Sequence, residues 1–192
     1  VIKYAKECMN SKKWGNLITM SSKRLSNYPE RIHDVGVVMD LAIHDIDIMN
    51  YLASSEVVNV KSVKGFKEDL NYEDNAAILL EYANKVSGIC EVNWLTPVKI
   101  REITLTFDKA FVVIDYIQQT LRITKRLSYS IDKKNLFLSS EELDQDFVEI
   151  TKQEPLRLEI LDFLESIKSK REPLVTGKDG LRALEIAMRV LE

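Results

Sequence analysis

Between Val57 and Lys125 the chain is a run of short segments rich in branched and aromatic side chains: "VVNVKSVKGF", "NAAILLEY", "VSGICEVNWL", "REITLTF", "AFVVIDYI" and "TLRITKRL". Separated by turn-like pieces, they read as antiparallel strands in a meander. The clearest alternation sets Ile103, Leu105 and Phe107 against Thr104 and Thr106, so one sheet face is buried. Such a face needs a cover. Val1 to about Ser11 reads as a helix, and a strand-like stretch follows Trp14-Gly15 from Asn16 to about Leu25. The polar segment "SNYPERIHD" leads into a helix over "GVVMDLAIHDIDIMNYLA", Gly36 to Ala53. Residues 127–150 read as a polar loop with one short strand near "DFVEI". "EPLRLEILDFLESIKSK" places Leu156, Ile160, Phe163, Leu164 and Ile167 on one helical stripe, with Pro155 suited to the first turn. A last helix starts near "TGKDG" and runs through Leu181, Leu184, Met188 and Leu191, with Glu185 and Arg189 on its exposed side. The predicted architecture is α+β: one domain over residues 1–192, with a large open, mostly antiparallel sheet and helices packed on one face.

Charge and composition narrow the function. With 27 basic and 30 acidic side chains the net charge is −3, which leaves no electrostatic footprint for nucleic acid. No apolar run approaches the roughly 20 residues that span a bilayer, and no basic-then-apolar leader opens the chain. The expected setting is the cytoplasm, away from membranes. Cys8 and Cys90 lack metal-type spacing and read as reduced thiols. Of the six glycines only Gly177 and Gly180 lie close together, so G-x-G-x-x-G and P-loop patterns are missing, as is G-x-S-x-G. The chain opens at Val1 in mid-helix, with Ile2, Ala5 and Met9 on one face, as a fragment of a longer protein would.

The helix over residues 36–53 carries the candidate chemistry. At about 100° per residue, Asp40, His44, Asp47 and Tyr51 line up in a narrow polar stripe. Met39, Ala42, Ile43, Ile46 and Met49 flank it on one side, and Leu41, Ile48 and Leu52 on the other. Asp45 and Asn50 fall outside this order. Three readings stand. The stripe simply faces solvent, or it faces a cleft, or Asp40 and His44 chelate a metal. In the cleft reading, a carboxylate one turn before an imidazole supports it as a general base acting on a hydroxyl. His33, in a loop, reads as surface.

The same segment resembles G-x-x-x-D-x-x-x-H-D-x-D of the glucose–fructose oxidoreductase/inositol dehydrogenase (Gfo/Idh/MocA) family, where it opens the domain after the Rossmann domain. "KKWGNL" resembles that family's turn from helix into first strand. "EPLVTGKDGLRALEIAMRVLE" resembles its C-terminal helix, P-x-x-x-G-x-D-G-x-x-A-L-x-x-A.

The resemblance implies a C-terminal substrate-binding and oligomerisation domain of an enzyme whose N-terminal Rossmann domain is absent from this chain. That domain would carry the Glu-Lys-Pro motif and bind NAD or NADP. This chain then holds no cofactor-binding residue and no metal, and by itself is inactive. Asp40 and His44 match the catalytic positions, His44 as base and Asp40 as the residue that orients it. Asp45 and Asp47 match the acidic positions that follow, read as supporting ones. The implied substrate is a sugar, polyol or nucleotide sugar. In "NWLTPVKIR", Trp94 suits stacking on a sugar or base and Lys99 and Arg101 suit phosphate, the other reading being an interface aromatic with solvated cations; Arg24 and Arg31 flank the loop before the helix, placed either to reach an anionic substrate or as surface charges. The resemblance also implies a homo-oligomer, dimer or tetramer, through the bare sheet face. The alternative is a non-catalytic family member serving as a sugar-binding or oligomerisation module.

Overall fold

In the computed structural model, which describes residues 1–66, 71–131 and 139–192, the strand-like segments pair into one open eight-stranded sheet among those residues. The elements in chain order are α1 (Ile2–Asn10), β1 (Leu17–Asn27), α2 (Ile43–Ala53), β2 (Val57–Gly65), β3 (Asn75–Tyr82), β4 (Ser87–Asn93), β5 (Leu95–Phe107), β6 (Phe111–Asp115), β7 (Thr120–Ile131), β8 (Ser139–Glu149), α3 (Pro155–Ser169) and α4 (Gly177–Leu191). Across the sheet they run β2-β3-β4-β1-β5-β6-β7-β8. The meander is interrupted once. β1 inserts between β4 and β5, parallel to the first and antiparallel to the second, and the other neighbouring pairs are antiparallel. A helix and two strands separate β1 from β4 in sequence, so no local pattern could announce that pairing.

Period-two alternation produces two faces of different character. Ile78, Cys90, Ser22, Ile103, Ile114 and Leu121 lie side by side across six strands, and each is 0% exposed. The adjacent row, Leu79, Ile89, Ser21, Thr104, Val113 and Arg122, points the other way, leaving Leu79 52% and Ile89 46% exposed. On the covered face α2 seals Ile46, Met49 and Leu52. Trp14 is fully buried against Phe107, with ring centroids 5.4 Å apart. The following turn needs glycine: Gly15 has φ +87°, and a Cβ there would stand 1.6 Å from an Asp108 carboxylate oxygen.

Several sequence expectations need correction. α4 buries Ala183, Ile186, Ala187 and Val190, whereas Leu181, Leu184 and Met188 face outward. The small alanines let the helix axis approach α2 and β2 more closely than the leucines would. α3 forms as predicted, but its stripe stays open, with Leu156, Ile160, Phe163, Leu164 and Ile167 all at least 50% exposed. The segment 127–150, read as a polar loop with one short strand, contains the end of β7 and all of β8; its residues 132–138 lie outside the described residues. The short strand read near "DFVEI" is the end of β8, which begins earlier, at Ser139; "SSEELDQ" carries too few apolar residues to show an alternation. β5 is also longer than "REITLTF". It begins at Leu95 and accommodates Pro97 where pairing with β1 skips from Ile100 to Leu95, so the missing N–H costs no ladder bond. Among the described residues no helix is long and apolar enough to cross a membrane, and Cys8 and Cys90 are buried free thiols.

Candidate active site

The helix predicted in one piece over residues 36–53 is built in two. Val38–Ala42 form a single π-turn, closed by the Ile43 N–H donating to the Val38 carbonyl five residues back, and α2 follows. Such turns are rare and concentrate at functional sites. α2 ends where Ser54 turns left-handed at φ +48°. The stripe survives this change of pitch. Asp40 and Asp47 are half-buried, and His44 and Tyr51 are exposed. The two residues that broke the order both face the sheet: Asn50 accepts a hydrogen bond from the Tyr82 hydroxyl at 3.2 Å, and Asp45 is 0% exposed.

Asp45 is matched by Arg24 on β1. The guanidinium donates through Nε at 2.7 Å and through Nη2 at 3.1 Å, a bidentate ion pair, and lies over Tyr116 at 5.9 Å from the ring centroid. The pair anchors α2 to the sheet and turns the neighbouring His44 away from it.

His44 looks into an open cavity of about 400 Å³. Asp40, Leu41, His44, Asp47 and Ile48 form one wall, Arg24 and Arg101 the sheet side, and Arg31 the loop side. Arg24 and Arg101 are register partners on β1 and β5. Five sequence-predicted residues therefore meet here. Arg24 belongs to the wall and is at the same time bound to Asp45 through Nε and Nη2. Arg31 and Arg101 make no side-chain hydrogen bond or ion pair among the described residues, so their guanidinium groups remain available.

Burial is the main reason the His44 imidazole titrates below its ordinary value, and the Arg24 charge pushes the same way. Asp45 and Asp40 oppose the shift, and Arg101 adds to it. Although an edge of the ring is exposed, the surrounding wall is close enough to disfavour the imidazolium. The result is a neutral imidazole near pH 7, with one nitrogen free to take a proton. No hydrogen bond joins Asp40 to His44 among the described residues, so the carboxylate acts through space. Asp47 moves upward, first by burial and then by the nearby Asp179 carboxylate.

Trp94 and Lys99 do not join the cavity. Trp94 is 3% exposed and packs edge-on against Tyr28 at 5.4 Å, so its faces are not offered to a ligand. Lys99 is exposed in the stretch of β5 that β1 skips. Asp47 lines the cavity together with the Asp40–His44 part of the stripe, and sequence reasoning missed the Arg24–Asp45 pair. The one signal for the pair was an aspartate set off the stripe on an otherwise apolar flank. Asp47 and Ile48 also line a second cavity of about 260 Å³, shared with Asp179 of the terminal G-x-D-G.

Residues 2–113 match the family model described as GFO/IDH/MocA C-terminal domain. The chain is 25% identical over 171 residues to UDP-N-acetylglucosamine 3-dehydrogenase of Acidithiobacillus ferrooxidans, covering 89% of this chain and 52% of that protein. A solved structure of that enzyme superposes with TM-score 0.81 at 24% identity, over 97% of this chain and 56% of the other. Aldose-aldose oxidoreductase from Caulobacter crescentus, complexed with glycerol, gives TM-score 0.80 at 18% identity, covering 99% and 57%. An oxidoreductase from Agrobacterium radiobacter, in complex with NAD+, L-tartaric acid and magnesium, gives 0.76 at 15%, covering 97% and 57%. These structures share the fold. The chain spans about half the length of the curated relatives it matches.

Proposed function

The chain belongs to the GFO/IDH/MocA C-terminal domain family, and on that premise we propose that it is the substrate-binding half of an NAD(P)-dependent dehydrogenase of a sugar, polyol or nucleotide sugar. One observation carries the reading: the Asp40–His44 stripe opens into a cavity whose Arg31 and Arg101 have no carboxylate partner among the described residues. His44, neutral and facing the cavity, takes the hydroxyl proton of the carbon being oxidised, leaving a carbonyl. Asp40 supports the imidazolium that forms, as a fixed negative charge one turn away. Arg31 and Arg101 hold an anionic part of the substrate, which favours a nucleotide sugar over a neutral polyol.

When bound, NAD or NADP supplies the acceptor for the hydride from the same carbon. The described residues make no cradle for its phosphates. Gly177 and Gly180 open α4 with nothing within 4 Å of where a Cβ would stand, unlike the close glycine approach of a dinucleotide loop. On this reading the cofactor's phosphates sit on a Rossmann domain outside this chain, and the chain alone should bind neither NAD nor NADP in a calorimetric titration.

The test is reduction of NAD(P) by the full-length enzyme with UDP-sugars and with free polyols. His44→Ala should lower kcat by roughly 10²–10⁴, the range for losing a general base. If His44→Ala unfolds the domain while activity per folded molecule stays normal, the stripe is structural.

A further inference from the structure

The connection from β2 to β3 carries Glu73, a carboxylate only 5% exposed and without a cation beside it among the described residues. A buried carboxylate needs donors. Glu73 Oε1 accepts the Val38 N–H at 3.1 Å, and the Glu73 carbonyl accepts the Val37 N–H at 2.9 Å. Both donors belong to the start of the segment that carries Asp40, where backbone N–H groups lack partners inside the helix and negative charge is favoured. The carboxylate fits because residue 36 is glycine: a Cβ at Gly36 would stand 2.1–2.2 Å from the Glu73 carboxylate atoms. Asp40 is tied to the same point, since its N–H donates to the Gly36 carbonyl at 3.1 Å.

We propose that Glu73 is a positioning residue for Asp40: seated on Gly36 and capping the π-turn, it sets the Asp40 carboxylate relative to His44. The role rests on the reading of His44 as the base. A π-turn holds one residue more than the α-helix it interrupts, and released at its N-terminus it can slip to ordinary i→i−4 pairing, rotating Asp40 out of line. Glu73 blocks that slip. Its influence on His44 passes through Asp40, because the charges acting on the imidazole are Arg24 from β1, Arg101 from β5, Asp40 from the π-turn and Asp45 from α2 itself. Arg31 and Asp47 complete the wall around it.

The experiment follows the His44 imidazole by NMR titration of the full chain, in the parent and in Glu73→Ala, Glu73→Gln, Gly36→Ala and the Gly36→Ala/Glu73→Ala double variant. Glu73→Ala and Gly36→Ala should each lower the His44 midpoint by roughly 0.5 pH unit, as the Asp40 charge moves off. Glu73→Gln keeps an acceptor oxygen and should leave the midpoint in place. The double variant should match Glu73→Ala, because Gly36→Ala acts only by evicting the carboxylate. An unchanged midpoint in folded Gly36→Ala overturns the proposal, and so does a Glu73→Gln midpoint as low as that of Gly36→Ala. Should Glu73→Ala fail to fold, Gly36→Ala and Glu73→Gln decide alone. In the full-length enzyme Gly36→Ala should lower kcat with KM steady. If His44→Ala leaves kcat intact, the general-base reading falls while the titration still decides the role of Glu73.

Discussion

Arg24 on β1 clasps Asp45 on α2 through both carboxylate oxygens, at 2.7 and 3.1 Å, with 11% of the arginine side chain and none of the aspartate exposed. This contact fixes the rotation of α2 on the sheet, and the residue before Asp45 in sequence is His44. Removing one partner strands a buried charge, so Asp45→Ala and Arg24→Ala should each cost about 3–5 kcal/mol in denaturant unfolding. Replacing both, as Arg24→Met/Asp45→Leu, should recover much of that loss. Full stability in either single variant would show that the pair does not anchor the helix.

The pH dependence follows from the direction of the His44 shift. Because burial and Arg24 hold the imidazole below its ordinary value, the base is neutral above that value and protonated below its own lowered one. kcat/KM of the full-length enzyme should therefore rise with pH through a midpoint below about 6.5 and be flat from there toward pH 8. Asp40→Asn removes a charge that raises His44 and should lower the midpoint further. Arg101→Gln removes one that lowers it and should raise the midpoint. Shifts of the same sign in both variants would contradict the electrostatic account.

Arg31 and Arg101 should divide substrates by charge. Arg101→Ala should raise KM for a UDP-sugar by about tenfold or more, since charge-assisted hydrogen bonds contribute roughly 1.5–3 kcal/mol, and should leave KM for an uncharged polyol nearly unchanged. Arg31→Ala, at a more exposed position, should act in the same direction but less. Steady-state kinetics with both substrate classes checks this, and equal losses on the two classes would remove the phosphate role.

The outer face of the sheet carries its own expectation. Leu79 and Ile89 are register partners, and both are about half exposed on the side away from α2 and α4. Covering such a face with a second copy is the usual remedy, as in a closed dimer or tetramer. Light scattering should find an oligomer that Leu79→Lys/Ile89→Lys dissociates without unfolding. A monomer at high concentration in the unaltered protein would count against it.

Much of this molecule was legible in its amino-acid sequence, for reasons that are local. Alternation at Ile103, Leu105 and Phe107 marks a one-sided strand wherever it pairs, and the i, i+4, i+7 spacing of Asp40, His44 and Asp47 marks a stripe whatever the stripe faces. The terminal "TGKDG" likewise carries its helix start with it: Thr176 and Asp179 form a reciprocal capping box. Tertiary structure decided what depends on residues distant in sequence. It placed β1 beside β4, and thereby Arg24 under Asp45. It sealed Trp94 against Tyr28 and left Lys99 outside, although both lie close in sequence to Arg101, which did reach the cavity. It chose the alanine side of α4 for burial over the leucine side, because interaxial distance is set by the partner surface. It also introduced the π-turn over Val38–Ala42, which no periodicity shows, since its cap Glu73 arrives from a loop 35 residues away. Local spacing fixes which side chains share a face; the pairing of distant segments decides what that face meets, because the energy of the meeting belongs to both partners.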